Sequence, residues 1–440
     1  VLGGWWSYEV LGWGGYWAWD PVENVALLPW LTATAFLHSA MVGRRGGTLL
    51  AWNVALVAAS FALTVFATLV TRSGVLDSVH AFTRSAIGPL FVGLLGAVLV
   101  GAVGLLVLRL PDSGERGRLG ARGRAFLLNN LLLTVIAVTV LFGTVFPLLA
   151  EALADTRLSV GAPCFEGVVG PLAIGLLVLV GIGPTLPWGH WSLRARRALV
   201  PGAASAAAVA GFLALVRVDP AAVAGAAAGV FALAQSVTIL GRRALRTDTS
   251  LKHRSLRLRA MNARASGGLV SHIGIALLAL AIVASATGKR ETVVTLAAGQ
   301  SADVLGQTVT YLGSEQRPGP NRMVLAARIR VGDGSTEVSP ALNVFATSTQ
   351  AIATPAIVPG PVADLYVTLL DLDPTAGVAT LRVGIHPFVS WLWPAGALVA
   401  LGGALALGPL AIRRREVAAS PGSVEGRPAI PEATLDVVGR

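Results

Sequence analysis

Nine uncharged apolar runs, each long enough to cross a bilayer, constrain this chain more than any other feature. They recur near residues 24–42, 49–71, 88–108, 125–149, 168–187, 199–216, 221–240, 267–287 and 388–411, and about 20 apolar residues suffice for a helix to span the hydrocarbon core. Charged residues make up 13% of the chain, against about a quarter in a soluble domain. The fold class is therefore a polytopic α-helical membrane protein with about nine transmembrane helices.

The net charge of +11 does not point to nucleic acid, because the basic residues are spread over alternate connections. Arg44 and Arg45, the run Arg116 to Arg124, then Arg194, Arg196 and Arg197, the run Arg242 to Arg264, and Arg413 to Arg415 occupy every second loop. By the positive-inside rule those loops are cytoplasmic. The start of the chain and residues 72–87, 150–167, 217–220 and 288–386 then face outward. The single cysteine, Cys164, forbids an internal disulfide or a cysteine metal cluster and is expected to serve packing. The chain opens on "VLGGWW", which reads as the tail of an earlier membrane helix, so a segment upstream is expected.

Between Gly288 and His386 the pattern changes to short alternating runs, "ETVVTL", "QTVTYLG", "MVLAARIRV" and "DLYVTLL", which is strand periodicity. The expected organisation is a Trp-rich outer loop over 1–23, a helical core over 24–287, one small extracytoplasmic β domain over 288–386, a final transmembrane helix over 387–412 and a disordered cytoplasmic tail over 413–440.

Ionisable groups inside a bilayer are costly and are functional by default. Well inside the spans there are two, His38 and His272. His38 lies roughly 9 Å from the cytoplasmic end of its helix and His272 roughly 12 Å from that of its own, at 1.5 Å per residue. Imidazoles at matched depth on antiparallel helices suit axial ligation of a haem iron, or each makes an interhelical hydrogen bond. The absence of intramembrane Asp, Glu and Lys argues against a proton-coupled antiporter. His80 lies in an outward loop between Arg72 and Arg84, which could pair with haem propionates; a solvated loop histidine is the plainer reading. His190 and His253 fall in basic loops, and His386 is read as starting the final helix.

Six of the 11 tryptophans, Trp5, Trp6, Trp13, Trp17, Trp19 and Trp30, lie in the first 30 residues. Asp20, Pro21, Val22 and Glu23 read as N-cap, N1, N2 and N3 of a helix closed by a capping box. The alternation of rings with glycine before that cap suggests a flat platform for a flat macrocycle, the alternative being an interfacial aromatic belt.

"LGWGGYWAWDPVENVALLPWLTATAFLHS", followed by "TRSGVLDSVHAF", "SVGAPCFEGVVGPLAIGLLVLVGIGP" and a late "SHIGIAL" helix, resembles the tryptophan-rich WWD signature of haem-handling membrane proteins, and over its whole length the chain is similar to the CcmF family of haem lyase subunits. The resemblance implies a haem b held by His38 and His272, and a second haem, as substrate, at a WWD site containing Trp13, Trp17, Trp19 and Asp20 with His80 as an iron ligand. The resemblance also implies a second external histidine, expected in a segment upstream of Val1. Tyr16 stands where the family has Trp and Ala18 where it has Phe, narrowing the ring surface. The implied reaction adds the two thiols of an apocytochrome c CxxCH motif across the haem vinyl groups, in a multi-subunit complex with a haem-delivering chaperone and other maturation subunits, on the outer face of the bacterial inner membrane. The alternative is a haem exporter or delivery subunit without ligation chemistry; its smaller members lack the late His helix and the β domain.

Overall fold

The computed structural model of the protein describes residues 1–43, 49–76, 78, 87–109, 120–189, 192–246, 256–332, 336–345 and 351–419. Among them nine helices are long and apolar enough to cross a membrane. In chain order the helices are α1 (Leu2–Val10), α2 (Pro21–Gly43), α3 (Leu50–Ser73), α4 (Gly88–Arg109), α5 (Ala121–Ala154), α6 (Ala162–Ile182), the short α7 (Leu193–Arg197), α8 (Val200–Leu215), α9 (Pro220–Arg246), α10 (Leu256–Gly288) and α11 (Leu392–Ala419). Residues 2–10, placed in the Trp-rich loop by the expected domain bounds although "VLGGWW" also reads as the tail of a helix, form a helix. A run of nine residues without Pro, anchored by Tyr8 in a buried cluster with Ala281, Tyr366, Val389 and Leu392, has tertiary support for helical structure. The last helix runs on to Ala419 through Arg413–Arg415, and the tail over 420–440 lies outside the described residues.

Helix α2 is central. Leu28, Leu31 and Ala35 on α2 form one apolar cluster with Leu56 of α3 and Leu133, Ile136, Ala137 and Val140 of α5. These positions recur at three- and four-residue intervals, which places them on one helix face. Helices α10 and α11 approach so closely that a Cβ at Gly267 would lie 2.6 Å from the Gly402 carbonyl oxygen, and one at Gly274 would lie 2.8 Å from the Ala395 carbonyl oxygen. Small residues permit this contact in a membrane, where dispersion and hydrogen bonds rather than water exclusion hold helices together. The Ser271 hydroxyl adds a hydrogen bond to the Val399 carbonyl at 3.1 Å.

Two sheets lie between α10 and α11. One has the order β1 (Arg290–Ala297), β10 (Val378–Pro387), β9 (Ala363–Asp373), β8 (Ala356–Val358). The other has the order β2 (Ser301–Val304), β3 (Gln307–Gly319), β4 (Arg322–Val331), β6 (Ala341–Phe345), β7 (Ile352–Thr354), with β5 (Thr336–Val338) beside β4. All pairings are antiparallel. Leu296, Leu369, Leu381 and Val383 of the first sheet and Val309, Tyr311 and Ile329 of the second share one core, giving a sandwich. Strand β9 is buried on both faces. Leu365, Val367 and Leu369 point into the sandwich, while Tyr366 packs on Tyr8 of α1 and Leu392 of α11. The sandwich is thereby seated on the helices and on the Trp-rich start of the chain.

Candidate functional site

The cap expected at the start of α2 is built from its local residues. The Asp20 carboxylate accepts the Val22 N–H at 3.0 Å, and Glu23 Oε2 accepts the N–H groups of Asp20 at 3.2 Å and Ala18 at 2.8 Å. Two donors that the helix cannot satisfy, and one in the loop before it, are thus used. The Ser78 hydroxyl also donates to Asp20, which ties the stretch after α3 to the loop. Asn24 Nδ2 donates to the Trp19 carbonyl at 3.1 Å and to Thr144 of α5 at 3.1 Å. These contacts hold Trp19 at φ 57°, a left-handed conformation that a bulky residue keeps only when its surroundings impose it.

Trp17 and Trp19 come together, but not as one flat shelf. Trp17 meets Trp19 edge to face, with centroids 5.7 Å apart and planes at 86°. Trp19 stacks on Phe165 of α6 at 5.0 Å and 8°. The Trp13 ring lies over Gly15, where a Cβ would come within 2.9 Å of its Cη2 atom, and its Nε1 is buried without a hydrogen-bond partner. Edge-to-face packing satisfies the ring quadrupoles, and Phe165 covers a face that the platform expectation left open. The result is an angular aromatic wall. Cys164, beside Phe165, is exposed and does not serve packing. His80 and Arg84 lie outside the described residues, as do His190 and His253.

At the other end of α2, His38 and His272 lie close together. Their ring centroids are 6.5 Å apart and their planes 9° from parallel. The Thr34 carbonyl accepts a hydrogen bond from His38 Nδ1 at 2.8 Å, which assigns the proton to Nδ1 and leaves the Nε2 lone pair available. His272 Nδ1 is buried and has no hydrogen-bond partner. Phe126 of α5 lies 5.7 Å from the His38 ring, and Trp188 lies 5.9 Å beyond Phe126. Metal–imidazole bonds of about 2.0 Å put the centres of two imidazoles sharing one metal roughly 6 Å apart. Among the described residues, no group of three or more His, Cys, Asp or Glu is placed to hold a bare ion.

A third constellation was not legible in the sequence. His386 does not start the last helix; it lies in β10 at 2% exposure. Its Nε2 donates to Glu291 Oε1 at 3.1 Å, and its Nδ1 lies 3.4 Å from the Tyr8 hydroxyl, which donates to Asp364 at 3.1 Å. Asp364 also accepts from Ser390 at 2.7 Å and from the Gly360 N–H at 3.0 Å. Lys289 pairs with Glu291 at 2.9 Å and donates to the Gly14 carbonyl at 2.7 Å. Burial, and then the nearby Lys289 ammonium, push His386 below the usual imidazole range. Burial alone would raise Glu291, but Lys289 and His386 outweigh it and hold the carboxyl below its ordinary value. Burial raises the Tyr8 and Tyr366 phenols, with Asp364 adding to the shift at Tyr8. The one sequence signal was the presence of polar residues at strand positions surrounded by apolar ones.

Comparison with known proteins places this geometry. Residues 1–76 match the family described as "Cytochrome C assembly protein", and residues 287–387 match "CcmF C-terminal beta-sandwich". The cytochrome c-type biogenesis protein CycK of Bradyrhizobium diazoefficiens is 36% identical over 422 residues, covering 94% of this chain and 64% of CycK. CcmF of Escherichia coli is 32% identical over 423 residues, with the same two coverages. A solved structure of "Cytochrome c Heme Lyase CcmF" superposes with a TM-score of 0.73 at 32% identity, covering 92% of this chain and 63% of that one. Over 94% of its length the chain is similar to proteins of the CcmF family. It spans about 64% of the length of the CycK and CcmF relatives it matches. As in the CcmF match over 287–387, the β-sandwich sits at the C-terminal side, and the helices make the chain a multi-pass membrane protein.

Proposed function

We propose that this chain is a haem lyase subunit of bacterial cytochrome c maturation, holding one haem b between His38 and His272 and presenting a second haem, its substrate, beside the aromatic wall of Trp13, Trp17 and Trp19. The observation that carries the reading is the parallel pair of imidazoles 6.5 Å apart. Two protein nitrogens are too few for structural zinc, which takes four ligands, but they match an iron already held by the four nitrogens of a porphyrin. Bound there, the haem would supply a reducible iron. The protein contributes a dry apolar surround, a tautomer of His38 fixed by the Thr34 carbonyl, and an unpartnered nitrogen on His272.

At the outer face the chemistry needs no enzymatic nucleophile. Each cysteine S–H adds across a vinyl C=C, forming one C–S and one C–H bond, so atoms and electrons balance without an oxidant. The catalytic term asked of the protein is positioning. The Trp rings bound the macrocycle on one side, Asp20 fixes the loop through Val22 and Ser78, and His80 is assigned to the substrate iron by the motif it shares with the family. Apocytochrome c, a haem-delivering chaperone and further maturation subunits are the partners, and the inner membrane with its active face outward is the location.

The absorption spectrum of the purified protein tests the inner site. Haem-replete wild type should be coloured, and His38→Ala and His272→Ala should each lose the two-histidine spectrum. A colourless wild type would overturn the reading. A His38→Ala protein that lost this spectrum yet attached haem to apocytochrome at full rate would show that the inner site is not needed for attachment.

A further inference from the structure

Helix α10 ends at Gly288, and the next residue reaches across to the Trp-rich loop. Lys289 Nζ donates to the Gly14 carbonyl at 2.7 Å while pairing with Glu291 at 2.9 Å, and Glu291 is in turn held by buried His386 at 3.1 Å. Gly14 separates Trp13 from Gly15, and its φ of +89° is one that glycine adopts without strain. The same stretch is tied at three further points. Gly12 N–H donates to the Ala353 carbonyl at 2.8 Å, and the Tyr366 hydroxyl reaches the Leu11 and Tyr8 carbonyls at 2.9 and 3.3 Å. Gly12 lies so close to the sandwich that a Cβ there would come within 2.9 Å of Thr368 Cγ2. Lys289, just ahead of β1, and Tyr366 of β9 therefore donate to carbonyls of the backbone that carries Trp13, while Ala353 accepts from its Gly12 N–H.

We infer that the β-sandwich is the mount for the Trp-rich loop, and that Lys289, aimed by Glu291 and His386, is a positioning residue that sets the Trp13–Gly14–Gly15 backbone and hence the haem-facing wall. This rests on the reading that the wall receives haem. A charge-assisted hydrogen bond to a carbonyl is stronger than a neutral one, and a lysine that is itself oriented by a carboxylate loses little freedom in making it. Because α10 also carries His272, about 24 Å from Gly288 at 1.5 Å per residue, a single helix links the inner histidine pair to the outer loop.

The test uses the full chain in detergent, as wild type, Lys289→Met, Lys289→Arg and Glu291→Gln, with two readouts. Amide hydrogen exchange over residues 11–19 reports the mount without any haem. Quenching of tryptophan fluorescence by added iron protoporphyrin reports the wall. Lys289→Met should speed exchange in that stretch and weaken the quenching by about tenfold. Lys289→Arg should restore most of both, and Glu291→Gln should give a smaller effect in the same direction. Unchanged exchange in folded Lys289→Met would overturn the proposal, as would faster exchange with undiminished porphyrin affinity. If wild type shows no quenching, the haem-wall reading falls, and the exchange readout alone decides whether Lys289 mounts the loop.

Discussion

Replacing Gly402 by alanine adds one methyl group where α11 crosses α10, and the packing there requires that this change reach His272. A Cβ at 402 would lie 2.6 Å from the Gly267 carbonyl oxygen and closer still to the Ser271 backbone nitrogen, where ordinary contact begins at 3.4 Å. Both obstacles are main-chain atoms of α10, so no rotamer change relieves them. Relieving the closer of the two contacts requires the helices to part by about 1 Å. Overpacking of this kind costs about 1–3 kcal/mol, and it also stretches the Ser271 to Val399 hydrogen bond, now 3.1 Å. His272 follows Ser271 in the chain and moves with it, which spoils the 6.5 Å spacing to His38. Gly402→Ala should therefore melt roughly 2–6 °C below wild type and lose two-histidine haem absorbance although both histidines remain. The control is Gly403→Ala, whose added methyl would meet nothing within 4 Å. Indistinguishable spectra and melting for the two variants would refute the reasoning.

Three further outcomes are expected. Glu23→Ala removes the acceptor for Ala18 and Asp20 and should cost about 2–3 kcal/mol, seen as faster limited proteolysis between residues 11 and 20. Gly14→Ala forces a side chain into φ +89°, with its Cβ 2.8 Å from Glu291; a loss of about 1–3 kcal/mol should appear in thermal unfolding and a change in near-ultraviolet dichroism of the Trp loop. Acid should loosen the sandwich from the loop. His386 is depressed below 6.5 and Glu291 below 4.5 in the folded protein, so the unfolded state binds protons more readily, and stability present above about pH 6.5 is lost as pH falls through the folded values. The protection of the amides of residues 11–19, taken relative to the intrinsic exchange rate at each pH, should fall between pH 7 and pH 5, and unchanged protection would count against it.

The membrane helices were legible in the sequence because crossing a bilayer demands an uninterrupted apolar length, a local property. The α2 cap was legible for the same reason: Asp20, Pro21 and Glu23 act within one turn of each other. Strands β1, β3, β4 and β9 showed their alternation, while β10 did not stand out from its neighbours. The depth match of His38 and His272 follows from helix rise and the positions of the flanking arginines, both countable along the chain.

Which groups face one another across the fold was decided only by tertiary structure. Phe165 covers Trp19 because α6 passes the loop, so Trp17, Trp19 and Phe165 form an angular wall rather than a shelf. His386 gathers Tyr8, Glu291 and Asp364 from three distant parts of the chain, and no spacing encodes that meeting. Burial on both faces of β9 likewise arises from seating the sandwich on α1 and α11. Periodicity and capping depend on neighbours a few residues away, so one chain read alone contains them; a hydrogen bond between residues 356 apart, from Tyr8 to Asp364, exists only once packing has brought the two together.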